Sequence, residues 1–301
     1  MTNSERVAPF LLVVVAVVWG TTFFIVKDAV TQIDPYLLVL VRSFMACIPL
    51  FGILLLRKPK TLLVKRTILD GAILGFLLAV MYSSQTIGLQ YTSSGHSAFV
   101  TGVAVVLVPL VMFVLYRYKF RWFQLVSIML VAIGLYLLTY DAKTQVNIGD
   151  LITLVTALTA ALHIVFVGKM ARRNDILALV AYQFLFSGIF NAIAHQSLAA
   201  NPWHILPQSW PALIYLGLVG TLFCYGISSW AQRFVNPVAA GLIFSLEPVF
   251  AAFFSYWFAQ EILKPAEIFG ATLILSGIIL YEIPLKRIFQ QLVYKNQINK
   301  A

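Results

Sequence analysis

The sequence predicts an all-α polytopic membrane protein in which ten transmembrane helices form a 5+5 inverted-topology repeat. Hydrophobic residues make up 61% of the 301 residues and charged residues only 11%, which is too apolar for a soluble domain of this length. The apolar residues fall into ten runs of about 20, the length at which a helix crosses the hydrocarbon core. Five spans per half would give the second half the opposite orientation in the membrane.

The polar breaks between apolar runs define the individual spans. The first run continues directly into Trp19 and Gly20 without a small-residue cleavage site, so we interpret it as a retained span and not as a secretory signal. Only residues 233–237 separate the eighth span from the ninth. The predicted spans are 8–26, 35–56, 68–90, 94–116, 122–140, 150–168, 177–198, 211–234, 237–259 and 266–284.

The basic residues predict the orientation. With both termini on the cytoplasmic side, seventeen Lys and Arg lie inside and three, Lys27, Lys143 and Lys264, lie outside. This distribution supports a multi-pass membrane protein with ten spans and both termini cytoplasmic. Because the bases flank apolar runs in small clusters, the net charge of +10 sets topology, and no nucleic-acid partner is expected. Cys47 and Cys224 lie inside apolar runs and are expected to be packing residues.

The two halves repeat each other weakly, which predicts one five-helix repeat over residues 1–140 and a second over 141–301. Val108-Pro109-Leu110 in the fourth span corresponds to Glu247-Pro248-Val249 in the ninth, and both are followed by a short turn and a span with a closing Gly and Tyr. Inverted repeats are typical of alternating-access transporters, whose substrate site lies near the midplane between the repeats.

These motifs, in this order, resemble the EamA-like family of the drug/metabolite transporter superfamily. The resemblance covers nearly the whole chain. It implies a 5+5 inverted-repeat secondary transporter of the bacterial inner membrane that moves small metabolites, often as an exporter of amino acids or related compounds. One departure is that Val108 stands where the second half has Glu247, which confines any acid-dependent role to that half. The matching residues are Trp19-Gly20, Arg42, the segment LQYTSSGHSAFVTG, Val108-Pro109-Leu110, Leu246-Glu247-Pro248-Val249, Gly270, Gly277 and Tyr281.

Glu247 is the candidate proton-coupling residue. An ionised acid at the centre of a span costs about 2.5–3.5 kcal/mol, so such a residue faces a cavity, pairs with a partner or carries a proton. A structural acid that holds helices together remains an equal alternative. His163 is a second proton-coupling candidate, against the alternative of a buried His that donates to a backbone carbonyl. Pro109 and Pro248 are the predicted helix bends.

Six residues are the substrate-binding candidates. Arg42 offers a planar fork for a carboxylate or phosphate, with an ion pair to Glu247 or a capping role as the alternative. Trp19, Tyr82 and Gln85 could line the path, although aromatic residues near the interface are commonly anchors. Tyr225 and Trp230, with Gln232 beside them, are candidates for an inward-facing vestibule.

The predicted function is secondary active transport of small organic metabolites by alternating access, with export of amino acids or related compounds. The alternative is an uptake carrier for a nucleoside-like, methylated-cofactor or cationic metabolite. A channel and an intramembrane enzyme are remoter, because the sequence has no GxSxG or HExxH motif and no ring of charges. No cofactor and no metal site are expected. The expected partners are a small-molecule substrate, the lipid bilayer and protons, and the protein is expected to be a monomer or homodimer.

Overall fold

A computed structural model describes residues 2–139, 147–198, 203, 205–259 and 264–282, and within them the fold is helical and has no strand. Each of the ten predicted spans overlaps a helical segment, so the predicted all-α class is confirmed. The helices are α1 (Asn3–Ala29), α2 (Pro35–Arg57), α3 (Lys65–Tyr91), α4 (Ser94–Gly102), α5 (Ala104–Tyr116), α6 (Trp122–Thr139), α7 (Ile148–Met170), α8 (Ile176–Leu198), α9 (Trp210–Ile214), α10 (Cys224–Ala231), α11 (Pro237–Phe244), α12 (Glu247–Ala259) and α13 (Pro265–Glu282).

Eight helical segments in the described part of the chain are long and apolar enough to cross a membrane. The fourth, eighth and ninth spans each count as one such segment, although each is built from more than one helix. Two shorter apolar helices, Trp122–Leu138 and Pro265–Tyr281, occupy the positions of the predicted fifth and tenth spans.

Side-chain caps fix where helices begin. Asp34 precedes α2 and accepts from the amides of Tyr36 and Leu37, while Pro35 fills the first helical position. Asn147 and Asp150 form a reciprocal capping box at the start of α7. The first amides of a helix have no partner within the helix, so these caps place the two helix starts at the predicted polar breaks.

The inverted repeat is visible in the packing. The two second spans, α2 and α8, pack together, and so do the two fifth spans, α6 and α13. A Cβ at Gly134 would lie 2.6 Å from the carbonyl oxygen of Gly270, and one at Gly277 would lie 2.8 Å from that of Ser127. The same shift in residue number takes Gly134 to Gly277 and Ser127 to Gly270. The two contacts are therefore equivalent under exchange of the halves, as a two-fold relation between them requires.

Three spans depart from a continuous α-helix. The fourth is interrupted at Val103, between α4 and α5, and the ninth at Ser245 and Leu246, between α11 and α12. Pro248 is the second residue of α12, directly after the interruption, whereas Pro109 lies inside α5, six residues beyond Val103. The eighth span contains a π-helical segment, Tyr215–Phe223, between α9 and α10. The apolar pattern did not predict it.

Polar contacts tie the halves together at what we call the basic end, where α2 connects to α3 and α7 to α8. Arg173 forms a two-pronged ion pair with the buried Asp70, and Asn174 Nδ2 donates to the same carboxylate at 2.7 Å. Lys58 Nζ lies 2.7 Å from Asp175 Oδ2. Burial alone would raise the pKa of Asp175, but the hydrogen bond from Lys58 and amide hydrogen bonds keep that pKa below its ordinary value.

A second set of ties lies at the opposite end, where α1 connects to α2 and α3 to α4. His195 Nδ1 lies 3.0 Å from Asp34 Oδ1, and both side chains are buried. Thr92 Oγ1 donates to Asp150 Oδ1 at 2.6 Å. Both contacts join the first half to the second, so each end of the bundle carries its own links between halves.

Candidate functional site

A cavity of about 880 Å³, including the part continuous with solvent, lies between the two halves. Helices α1 to α5 line it from the first half, and α7 and α10 to α12 from the second. Its position between the two halves of the bundle is typical of a site for a small organic molecule. Five of the predicted substrate-binding residues line it, namely Trp19, Arg42, Tyr82, Gln85 and Tyr225, together with His163, Glu247 and Pro248.

Arg42 is buried, with 2% of its surface exposed. Its Nε donates to Thr221 Oγ1 at 2.8 Å, and its guanidinium carbon lies 3.9 Å from the centre of the Tyr82 ring. In the described part of the chain its terminal amino groups have no hydrogen-bond partner. A guanidinium fixed at Nε and stacked on an aromatic ring can present both terminal nitrogens to a carboxylate.

The π-helical segment holds two of these cavity side chains. Thr221 Oγ1, which accepts from Arg42, donates to the carbonyl of Leu216 at 2.7 Å, five residues earlier. The neighbouring carbonyl of Gly220 accepts from Trp19 Nε1 at 2.9 Å. Single π-helical turns commonly mark functional sites because they shift backbone groups out of the α-helical ladder. Here the shifted segment, in the second half, binds side chains of the first.

Aromatic side chains form one wall of the cavity. The Tyr225 ring lies 5.1 Å from Trp19, 5.8 Å from Tyr82 and 5.7 Å from His163, measured between centroids. Phe244 lies 5.1 Å from Trp19 on its other side. Such faces attract organic cations and flat rings, because an aromatic face carries partial negative charge.

Glu247 is the first residue of α12, immediately after the interruption of the ninth span. Among the described residues its carboxylate has no hydrogen-bond or ion-pair partner. The expected alternative of an ion pair with Arg42 is therefore not what the structure contains, because the Arg42 Nε binds Thr221 instead. The cavity thus holds one cationic and one acidic side chain that do not pair with each other.

The remaining predicted residues lie in different surroundings. His163 Nε2 lies 3.3 Å from Gln183 Oε1, so its partner is a side chain and not the backbone carbonyl given as the alternative. Gln85 Nε2 donates to Thr101 Oγ1 at 3.3 Å. Trp230 does not line the cavity. It packs on Phe234 with centroids 5.1 Å apart, because it lies about 140° around the helix from Tyr225.

Pro109 is buried inside α5 and does not line the cavity, within the part that the structure describes.

Two residues at the cavity were missed by sequence reasoning. Ser228 lines the cavity beside Tyr225, and Thr221 holds Arg42, whereas Gln232, a vestibule candidate from the sequence, also lines the cavity. Thr221, Tyr225, Ser228 and Gln232 follow each other at spacings of four, three and four, which is the repeat of one helix face. That polar stripe in an apolar span was the signal that could have identified Thr221 and Ser228.

The fold and the cavity define a polytopic membrane protein with a central solute site between two inverted halves. The family model described as the EamA-like transporter family matches residues 6–140 and again 147–282. The chain therefore belongs to the EamA-like transporter family, and it is a membrane transporter and not an enzyme.

Individual relatives agree with this assignment. An uncharacterized transporter of Archaeoglobus fulgidus is 30% identical, with 89% of this chain and 83% of that protein covered. An S-adenosylmethionine/S-adenosylhomocysteine transporter of Chlamydia muridarum is 25% identical, with 91% of each covered. A crystal structure covers 96% of this chain and 99% of its own at a TM-score of 0.78 and 15% identity, which shows a shared fold.

Proposed function

We propose that this protein is a secondary active transporter of small zwitterionic metabolites, amino acids or related compounds, and that it exports them by alternating access. The observation that carries the proposal is that Arg42 and Glu247 line one cavity without pairing with each other. They come from opposite halves, so a solute that contacts both bridges the parts that move against each other.

The two charged residues divide the recognition of a zwitterion. The terminal nitrogens of Arg42 bind the solute carboxylate, and Glu247 with the aromatic wall of Trp19, Tyr82 and Tyr225 binds its ammonium group. The side-chain amide of Gln85 supplies a hydrogen-bond donor and an acceptor at the edge of the same site. A buried charge that lacks a partner is costly, which favours a ligand that neutralises both groups.

Transport is coupled to protons through Glu247. No phosphate-binding loop of the ATPase type occurs in the sequence, so the driving force is a gradient. Protonation of Glu247 when the ammonium group leaves lets the empty site change conformation without an unpaired carboxylate, and His163 takes part in proton transfer. The repeats 1–140 and 141–301 rock against each other, and the interruption before Pro248 gives the ninth span its bend.

The protein acts in the bacterial inner membrane with both termini cytoplasmic. The basic end holds Arg57, Lys58, Lys65, Arg172 and Arg173, and the excess of Lys and Arg on cytoplasmic segments supports this orientation.

A second candidate is uptake of a methylated cofactor or nucleoside-like solute. The aromatic wall suits a sulfonium or a flat ring, and relatives 24–25% identical are named S-adenosylmethionine/S-adenosylhomocysteine transporters. Such a solute also carries an amino-acid end, so Arg42 would serve both candidates.

The test uses protein reconstituted in proteoliposomes. We expect saturable flux of an L-amino acid driven by a pH gradient, about tenfold weaker apparent affinity in Arg42→Lys, and loss of the response to pH in Glu247→Gln. Gln90→Leu, at an exposed position, is the control. Normal transport with unchanged pH dependence in Glu247→Gln contradicts the coupling role, and full affinity in Arg42→Lys contradicts the carboxylate site.

A further inference from the structure

The polar stripe on the eighth span continues beyond the charged residues. Tyr225, Ser228 and Gln232 all line the cavity, and Gln232 lies eleven residues beyond Thr221, which holds Arg42. At 1.5 Å per residue the level of Thr221 and that of Gln232 are separated by about 16 Å along the span. The cavity therefore reaches well past the space that a single amino acid fills.

Gln232 lacks a partner of its own. Its residue is 1% exposed, and among the described residues its Oε1 makes no hydrogen bond. A buried amide oxygen left unpaired is costly, so a bound group that donates a hydrogen bond to it is favoured. The neighbouring Ser228, also buried, contributes a hydroxyl at the same level.

We infer that Gln232 forms a second binding subsite in the cavity, which takes the hydrogen-bonding edge of a nucleobase attached to the amino-acid end of the substrate. The inference rests on the proposed function, because Arg42 and Glu247 hold the zwitterionic end. A carboxamide offers one acceptor and one donor side by side, which matches the amino group and ring nitrogen of adenine. The aromatic wall between the two levels provides faces on which a flat ring stacks.

The test compares two probes that share an amino-acid end, L-methionine and S-adenosyl-L-homocysteine, by calorimetry on the full chain purified in detergent. We expect Gln232→Leu to weaken S-adenosyl-L-homocysteine binding about tenfold or more and to leave methionine binding within twofold. Gln90→Leu removes the same side chain at an exposed position and is expected to bind both probes as the wild type does. If Gln232→Leu does not fold, Gln232→Glu is judged by the same criteria.

The outcomes separate this inference from the function on which it rests. Unchanged S-adenosyl-L-homocysteine binding in the Gln232 variant, or an equal loss for both probes, overturns the subsite. A wild type that binds methionine but not S-adenosyl-L-homocysteine also overturns it and leaves the zwitterion site standing. A wild type that binds neither probe overturns both.

Discussion

Arg42 is positioned by a side chain from the other half of the molecule. Its Nε donates to Thr221 Oγ1, and Thr221 is itself oriented by its bond to the Leu216 carbonyl. We expect Thr221→Val to leave the guanidinium without this anchor and to raise KM for a carboxylate-bearing solute about tenfold, with Vmax little changed. Proteoliposome flux over a range of solute concentrations measures both quantities.

Two variants complete this experiment. Thr221→Ser keeps the hydroxyl and should restore the wild-type KM. Thr159→Val removes a buried hydroxyl that bonds only to carbonyls of its own helix, and it should leave KM unchanged. An unchanged KM in Thr221→Val, or no rescue by Ser, would show that Thr221 does not position Arg42.

At the residue scale the sequence identifies a site by the cost of polarity in a membrane. Arg42 and Glu247 stand out because ionisable residues in apolar runs are expensive, and both line the cavity. Thr221 and Ser228 are neutral and lie near Tyr225 without breaking the apolar average, so composition does not mark them. Trp230 was selected because it is aromatic, but its position around the helix turns it away from the cavity.

At the scale of elements, the interruption of the ninth span is the feature closest to Glu247. Pro248 has no amide hydrogen to bond the carbonyl of Phe244, which favours the break at Ser245 and Leu246. We expect Pro248→Ala to restore that donor, straighten the span and lower Vmax several-fold while the protein remains folded. Pro109→Ala is the matched control, because Pro109 lies six residues beyond the break in its own span. Equal effects of the two substitutions would contradict the role of Pro248.

Helix α3 packs through its glycines. A Cβ at Gly75 would lie 2.6 Å from the carbonyl oxygen of Gln183 and 2.7 Å from Phe186 Cβ, on α8. We expect Gly75→Ala to destabilise the protein by about 1–3 kcal/mol and to lower its midpoint of thermal unfolding by several degrees in detergent. Gly52→Ala, with nothing within 4 Å of the added carbon, should not lower the midpoint, because Ala favours a helix over Gly. Similar midpoints for the two variants would mean that α3 and α8 can move apart enough to accept the added methyl group without loss of stability.

Element positions followed from the sequence because hydropathy and helix caps are local signals. The start of α2 at Pro35 matches the predicted span, since Asp34 and Pro35 are a cap and a first-turn proline. The π-helical segment of the eighth span could not be predicted in the same way. Its hydrogen-bond register depends on contacts of Gly217 and Thr221 with α2, which lie far apart in the chain.

At the scale of the whole molecule, the bundle of membrane-spanning helices was predictable because bilayer thickness fixes span length. The side on which each loop lies remains a prediction from the basic residues. The repeat was weak in sequence but is explicit in the reciprocal contacts of Gly134 with Gly270 and of Gly277 with Ser127. The polar links between halves could not be predicted, because they join residues such as Asp70 and Arg173 that only the folded bundle brings together.

In the proposed alternating-access cycle, these links set which end of the cavity opens. Arg173 and Asp70 join the halves at the basic end, and His195 and Asp34 join them at the opposite end. If the halves rock as proposed, one set of links breaks while the other holds, and weakening either set shifts the population toward the state open at that end. We expect Asp70→Asn to favour opening at the basic end and Asp34→Asn to favour opening at the opposite end.

Cysteine labelling in detergent measures this shift without reference to membrane orientation. In a background without Cys47 and Cys224, Ser228→Cys reports on the cavity toward the basic end and Gln85→Cys toward the opposite end. Asp70→Asn should speed maleimide labelling at 228 several-fold and slow it at 85, and Asp34→Asn should do the reverse. If each substitution changes the labelling rates at 228 and 85 in the same direction, the links act only on stability. Such a result would contradict a cycle in which the cavity opens at one end while the other end stays closed.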